Sequence, residues 1–149
     1  MRYVGITFRG GTNPNFNNLE AWVTKNSYAQ AGLYGQCTWF AWGRFYELYG
    51  YDPGFSGDGS SCVKELVAAH PDKFERSSSP KAGAVFSAIG HNHVGIVIAV
   101  KDNTITVQEG NLDGITNTFQ DAKKDWQTKS YTLDQLRSIY GGVVFANPK

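Results

Sequence analysis

The sequence predicts an α+β fold in which helices come first and antiparallel strands follow. Apolar residues keep helical spacing in the first half of the chain, and β-branched runs replace that spacing after Pro80. The chain also lacks the regular alternation of strand and helix that a doubly wound parallel sheet requires. With 149 residues, 41% of them hydrophobic, we expect one compact domain with a substantial core.

The N-terminal stretch is expected to lie outside this domain. Residues 1–18 contain a cluster of Gly, Asn and Pro, which favour turns and loops. We therefore interpret 1–18 as an extension or linker and 19–149 as the domain itself. A short helix is expected over Leu19–Lys25.

Two further helices are expected before the strands. The longer one begins at or near Cys37, carries aromatic residues at helical spacing, and stops at Gly50. The next is capped by Ser61 and ends before Pro71.

The second half predicts short strands joined by turns. The dipeptide Asp102-Asn103 is the predicted turn of a hairpin. A short helix is expected from Leu133. The predicted strands are Val85–Phe86, Val94–Val100, Thr104–Gln108, Trp126–Tyr131 and Val143–Phe145.

Charge and hydropathy exclude several function classes. The formal net charge of +1 gives no strong field to attract nucleic acid or an anionic membrane. The longest apolar run, Val94–Val100, is too short to insert into a bilayer. The N-terminus lacks the layout of a signal peptide. Two cysteines are too few for a disulfide framework.

Cys37 is the candidate nucleophile. Gly35 permits a tight approach to the helix that begins at or near Cys37. A thiol at a helix N-terminus faces unpaired N–H groups and the positive end of the helix dipole, and both favour the thiolate. The same N–H groups, with the Gln36 side chain, can hold a developing oxyanion.

His93 is the candidate general base. It opens a buried strand, where a side chain can be held rigidly while facing a cleft. His91 lies two residues earlier and can share its face, but it sits in a Gly-flanked loop. We therefore assign the base to His93.

Glu109 is the candidate for orienting the histidine. A hairpin about Asp102-Asn103 returns the chain near Glu109 beside the start of the strand at His93. The unequal arms of the hairpin imply a bulge or an extended rim. A carboxylate or amide at this end can orient an imidazole and stabilise its charged form.

Three segments together resemble the CHAP family, the cysteine, histidine-dependent amidohydrolases/peptidases. They are Gly35–Trp39, His93–Val97 and Glu109–Asn111. The resemblance covers roughly residues 33–146. It implies a papain-like fold in which the cysteine helix packs on an antiparallel sheet, with His93 as base and Glu109 and Asn111 holding it.

The same resemblance implies a peptidoglycan hydrolase of the kind found in phage lysins, tail proteins and secreted autolysins. Such an enzyme acts at the bacterial cell wall, as a muramoyl-alanine amidase or as an endopeptidase, with other domains or subunits available for targeting. No cofactor or metal is expected. Calcium in particular is not predicted, because no Asp or Glu lies between Glu20 and Glu47, before the nucleophile. Groove walls are assigned to Tyr34, Phe55, His91, Asp113 and Trp126.

Three alternatives remain open at this stage. A zinc hydrolase would use ligands among Cys37, Cys62, His91, His93 and Asp113, although the two cysteines are isolated. A non-catalytic wall-binding module would use the aromatic residues to stack on sugars. A hydrolase of small amides would share the same architecture.

Overall fold

The computed structural model describes residues 6–7, 13–112, 114–115 and 118–149, and for 6–7 only the backbone. Asp113, predicted as a groove residue and a zinc ligand, lies outside these ranges. None of the described helices is long and apolar enough to cross a membrane.

The helices of the described residues fall mainly in the first half of the chain. A π-helical turn at Glu20–Thr24 and a 3₁₀ turn at Gly59–Ser61 accompany them. The α-helices are α1 (Ser27–Gln30), α2 (Cys37–Tyr49), α3 (Cys62–Ala69), α4 (Phe119–Ala122) and α5 (Leu133–Tyr140).

The strands form one antiparallel sheet in the order β2-β7-β3-β4-β5-β6, and β1 pairs with β4. Their bounds are β1 Ile6–Thr7, β2 Phe74–Ser77, β3 Val85–Ala88, β4 His93–Lys101, β5 Thr104–Gly110, β6 Trp126–Thr132 and β7 Val143–Pro148. Helices packed on an antiparallel sheet confirm the predicted α+β, papain-like fold.

Each face of the sheet has its own core. Because side chains alternate along a strand, Val94 and Ile96 point to one face and Val97 to the other. The first face packs against the aromatic side chains of α2, including Trp39, and the second packs against Leu136 of α5. Helices α2 and α5 thus lie on opposite sides of β4 and β5.

Some elements differ from their predictions. The predicted helix over Leu19–Lys25 is a π-helical turn, and β1, α1, β2 and α4 were not predicted. Within residues 1–18, predicted to be an extension or linker, contacts with the rest of the chain are seen for the described residues Ile6–Thr7 and Phe16. Residues Ile6–Thr7 pair with β4, and Phe16 packs on Trp22 at a ring distance of 4.7 Å.

A buried ion pair fixes α2 on the sheet. Arg44 of α2 is 1% exposed, and its Nε donates to Gln108 Oε1 of β5 at 2.7 Å. Its guanidinium also pairs with Glu47 at 3.3 Å, and Glu47 accepts the Asn15 N–H. The Arg44 side chain therefore ties α2 both to β5 and, through Glu47, to the N-terminal stretch.

We expect Arg44→Met to destabilise the protein by about 3–5 kcal/mol, because it leaves Glu47 and Gln108 without their buried partner. The measurement is urea unfolding followed by circular dichroism. The matched control is Lys25→Met, which removes the ion pair between Lys25 and Glu20. Both side chains of that pair are 57% exposed. Equal shifts in the two midpoints would contradict this prediction.

Candidate active site

Cys37 is the first residue of α2 and lies 6% exposed at its N-terminus. The preceding Gly35 has φ 85°, a left-handed conformation that glycine adopts without strain. Gln36 is the extended N-cap residue, and the first intrahelical bond runs from the Phe40 N–H to the Gln36 carbonyl. The helix itself therefore does not use the N–H groups of residues 37–39, which precede that bond.

His93 and Glu109 lie on one face of the β4–β5 hairpin. The register pairs Ile96 with Gln108 and shifts between Val97 and Ala99, which confirms the predicted bulge. By alternation His93 and Glu109 share a face. His93 Nε2 lies 2.8 Å from Glu109 Oε1. The pairing of these two side chains thus follows from strand register.

The Glu109 carboxylate is almost completely buried, with 1% of its side chain exposed, and it binds four groups. Oε1 pairs with His93 and accepts the Tyr140 hydroxyl at 2.7 Å. Oε2 accepts the Tyr131 hydroxyl at 2.7 Å and the Gln127 amide at 3.0 Å. These four interactions offset the cost of burying the charge.

The protonation states follow from these contacts. Burial alone would lower the pKa of His93, but hydrogen bonds with Cys37 and Glu109 and their negative charges outweigh it and raise the pKa to about 9. Burial would likewise raise the pKa of Glu109, but hydrogen bonds from His93, Tyr131 and Tyr140 lower it to about 2. At neutral pH the pair is therefore an imidazolium and a carboxylate.

Two aromatic rings pack against the His93 ring, and one ring nitrogen faces the thiol. Tyr140 stacks on it at 4.8 Å and an interplanar angle of 16°, and Phe86 lies at 5.9 Å. Since Nε2 contacts Glu109, Nδ1 is the nitrogen that remains for the hydrogen bond with Cys37. Cys37 Sγ also lies 4.0 Å from the carbonyl oxygen of Asn92.

The thiol lines a cleft of about 350 Å³. The floor and walls come from the N-terminus of α2, the segment before the 3₁₀ turn, and the residues beside His93 and Glu109. The described lining residues are Tyr28, Leu33, Gln36, Cys37, Thr38, Ser56, Gly57, Asp58, Gly59, Asn92 and Asn111.

Not all predicted site residues line this cleft. Gln36 does. Tyr34 instead packs on Trp39 and Phe119. Trp126 is half-buried and stacks on Phe40. Its indole N–H donates to the Lys123 carbonyl. His91 is exposed and lies edge-on to Tyr140, and Phe55 is buried in the core.

Asn111 lines the cleft rather than contacting His93. It has φ 64°, and its Oδ1 is buried without a hydrogen-bond partner. Of the two residues predicted to hold His93, Glu109 is the one that binds its imidazole.

Sequence reasoning missed Gln127, Tyr131 and Tyr140, all of which bind Glu109. Strand alternation gave a signal for two of them, because Gln127 lies directly opposite Glu109 and Tyr131 shares its face. Tyr140 gave no such signal, since its position depends on how α5 crosses the sheet. In the described ranges, no group of three His, Cys, Asp or Glu side chains is arranged to hold a metal ion.

Comparison with known proteins bears on this site. Residues 23–111 match the CHAP domain family. Curated protein sequences give no match. Among solved structures, the chain is similar to N-acetylmuramoyl-L-alanine amidase from Staphylococcus aureus, with 20% identity and a TM-score of 0.52 over 77% of this chain and 31% of that one.

A second similar structure is that of Ly7917 with the hydrolyzing product of MDP, with 19% identity and a TM-score of 0.52 over 89% of this chain and 61% of that one. At these identities the likeness shows the fold, and the chain spans less than two thirds of either protein. Because the family match covers more than half of the 149 residues and the fold agrees with it, the chain belongs to the CHAP domain family.

Proposed function

We propose that this chain is a peptidoglycan hydrolase that cleaves an amide bond of the bacterial cell wall through a Cys37 thioester. One observation carries the proposal. A cysteine at a helix N-terminus lies beside an imidazole whose other nitrogen is 2.8 Å from a buried carboxylate, and the thiol lines an open cleft. In this proposal residues 19–149 form the catalytic domain.

The first half of the reaction forms the acyl-enzyme. The Cys37 thiolate attacks the carbonyl carbon, and the N–H groups at the start of α2 stabilise the oxyanion. As the tetrahedral intermediate collapses, the C–N bond breaks and His93 Nδ1–H donates its proton to the leaving amine. The products of this half are a free amine and a thioester on Cys37.

The second half releases the acyl group. His93, now neutral, takes a proton from water through Nδ1, and the hydroxide attacks the thioester carbonyl. The C–S bond then breaks, and the thiolate–imidazolium pair is restored. Glu109 remains ionised throughout and keeps its contact with Nε2, so it fixes the ring orientation in both halves.

The substrate class is supported by the family and by the similar structures. One of these is named as a muramoyl-alanine amidase and another was solved with a hydrolysis product. Both an amidase and an endopeptidase fit the proposed chemistry, since each cleaves an amide. The proposed place of action is the cell wall, with peptidoglycan as partner, other domains or subunits for targeting, and no cofactor.

Cys37→Ala is expected to abolish release of fragments from Gram-positive peptidoglycan, because it removes the nucleophile. The measurement is mass spectrometry of the soluble fragments, whose new termini distinguish an amidase from an endopeptidase. The matched control is Cys62→Ala, which removes the other buried thiol of the described residues and should retain activity. Equal release by wild type and Cys37→Ala, or loss of wild-type activity to a chelator alone, would contradict the mechanism.

The pH profile should show a descending limb near 9. The value kcat/KM falls as pH rises through the pKa of His93, because the neutral imidazole cannot protonate the leaving amine. Glu109→Gln removes a charge that raises this pKa, so the limb moves to lower pH and kcat/KM falls by about 10²-fold. A descending limb that stays in place in Glu109→Gln would argue against this role for Glu109.

Tyr140→Phe tests whether the hydroxyl acts through Glu109. The variant keeps a ring to stack on His93 but removes one donor to the carboxylate, so we expect the pKa of Glu109 to rise. We also expect kcat to fall about tenfold, with a smaller change in KM. The measurements are a ¹³C titration of the Glu109 carboxyl group and steady-state kinetics.

The matched control for Tyr140→Phe is Tyr51→Phe. Tyr51 packs on Phe45 and His70 in the α2–α3 part of the core and makes no contact with Glu109. It should change neither value. An unchanged Glu109 pKa in Tyr140→Phe would show that the hydroxyl is dispensable.

A further inference from the structure

One wall of the cleft is held rigidly opposite the nucleophile. This wall, residues 56–59, runs into the first residue of the 3₁₀ turn and lines the space beside Cys37. The Tyr28 hydroxyl donates to the Gly57 carbonyl at 2.8 Å, and Glu65 accepts the Gly57 N–H at 3.0 Å. The wall is therefore anchored from α1 and α3 at once.

The wall is also fixed to the strand that carries the histidine. A Cβ atom at Gly59 would lie 2.7–2.9 Å from the backbone of His93, a distance that only glycine allows. Ser87 Oγ donates to the Gly59 carbonyl at 2.7 Å, and the Ser60 N–H donates to Asn92 Oδ1 at 3.0 Å. The backbone of the wall thus keeps a fixed position relative to the proposed catalytic pair.

Asp58 is the charged side chain on this wall. It is exposed, and it is the only acidic or basic residue among the described residues that line the cleft, apart from the thiol and the Tyr28 phenol. Although Asp58 occupies the N-cap position of the turn, its side chain makes no capping hydrogen bond. Within the described residues its carboxylate has no hydrogen bond or ion pair. The charge is left available to a molecule that enters the cleft.

A second acceptor in the same cleft also lacks a donor. Asn111 Oδ1 is buried without a hydrogen-bond partner, and leaving such an atom unpaired costs about 1–3 kcal/mol. A ligand group that carries several N–H donors and a positive charge suits the acceptors of this cleft, above all the exposed Asp58 carboxylate. A primary ammonium has three donors and one charge. A metal ion would need more oxygen ligands than these two.

We infer that the cleft recognises a free primary ammonium on the substrate, with Asp58 as its specificity-determining residue. The inference rests on the proposed function only for the substrate class. In peptidoglycan such a group is the side-chain amine of a diamino residue or the α-amine of an uncapped peptide. The same carboxylate repels substrates that present a carboxylate at this position.

The test measures binding in a Cys37→Ala background, so that it does not depend on whether any bond is cleaved. Three muropeptide probes contain lysine with the ε-amine free, N-acetylated, or extended by one glycine with a free α-amine. We expect isothermal titration calorimetry to show the acetylated probe binding about three- to fivefold more weakly than the better of the other two. The preference should shrink at high salt. The free-amine probe with the higher affinity shows whether the recognised ammonium is a lysine ε-amine or a glycine α-amine.

Asp58→Asn, added to Cys37→Ala, should abolish this preference while affinity for the acetylated probe stays the same. The matched control is Asp72→Asn, an identical charge change at an exposed residue outside the cleft lining, and it should keep the preference. Equal binding of all three probes by Cys37→Ala, or a preference that survives Asp58→Asn, would overturn the inference. Failure of wild type to cleave any probe would count against the proposed function instead.

Discussion

The site depends on one buried charge, the Glu109 carboxylate. Removing a carboxylate from water costs several kcal/mol, so the ionised form persists only if its oxygens are fully bonded. Here an imidazolium, two phenols and an amide do this. Because these groups come from β4, β6 and α5, the charge can exist only once three separate elements have packed around β5. In return the carboxylate holds the His93 ring at the angle at which Nδ1 meets the thiol.

The rest of the fold brings the N-terminus of α2 close to His93. Cys37 and helix α2 pack on one face of the sheet, whereas Glu109 and the two tyrosines that bind it lie on the other face. The two meet because His93 is the first residue of β4, at the strand end. Gly110 supports the approach, since a Cβ there would lie 2.7 Å from Cβ of Phe40 in α2. Arg44 then fixes the same helix to β5 through Gln108.

Local patterns were sufficient to predict part of this arrangement. Helical spacing after Cys37 and the hairpin at Asp102-Asn103 place the thiol, His93 and Glu109 at element ends, and strand alternation puts the last two on one face. Tyr34 and Trp126, predicted to be groove residues, are partly buried and pack against the aromatic cluster around α2, since large rings favour such packing. Strand β2, with the sequence Phe-Glu-Arg-Ser, is short and mostly polar, and it is stabilised by pairing with β7 rather than by its own pattern. Tyr140 reaches His93 only through the packing of α5, which no local pattern encodes.

The carboxylate also determines how much of the chain the site requires. The family match ends at residue 111 and includes Cys37, His93 and Glu109. Three of the four partners of the Glu109 carboxylate lie beyond that point, on β6 and α5. Without them the carboxylate would keep only His93, its pKa would rise with burial, and it would hold the imidazolium less firmly. The sequence motif therefore contains the proposed reacting groups, while the C-terminal third of the chain supplies hydrogen bonds that keep the Glu109 carboxylate ionised. Residues 126–140 belong to the site as much as the motif does.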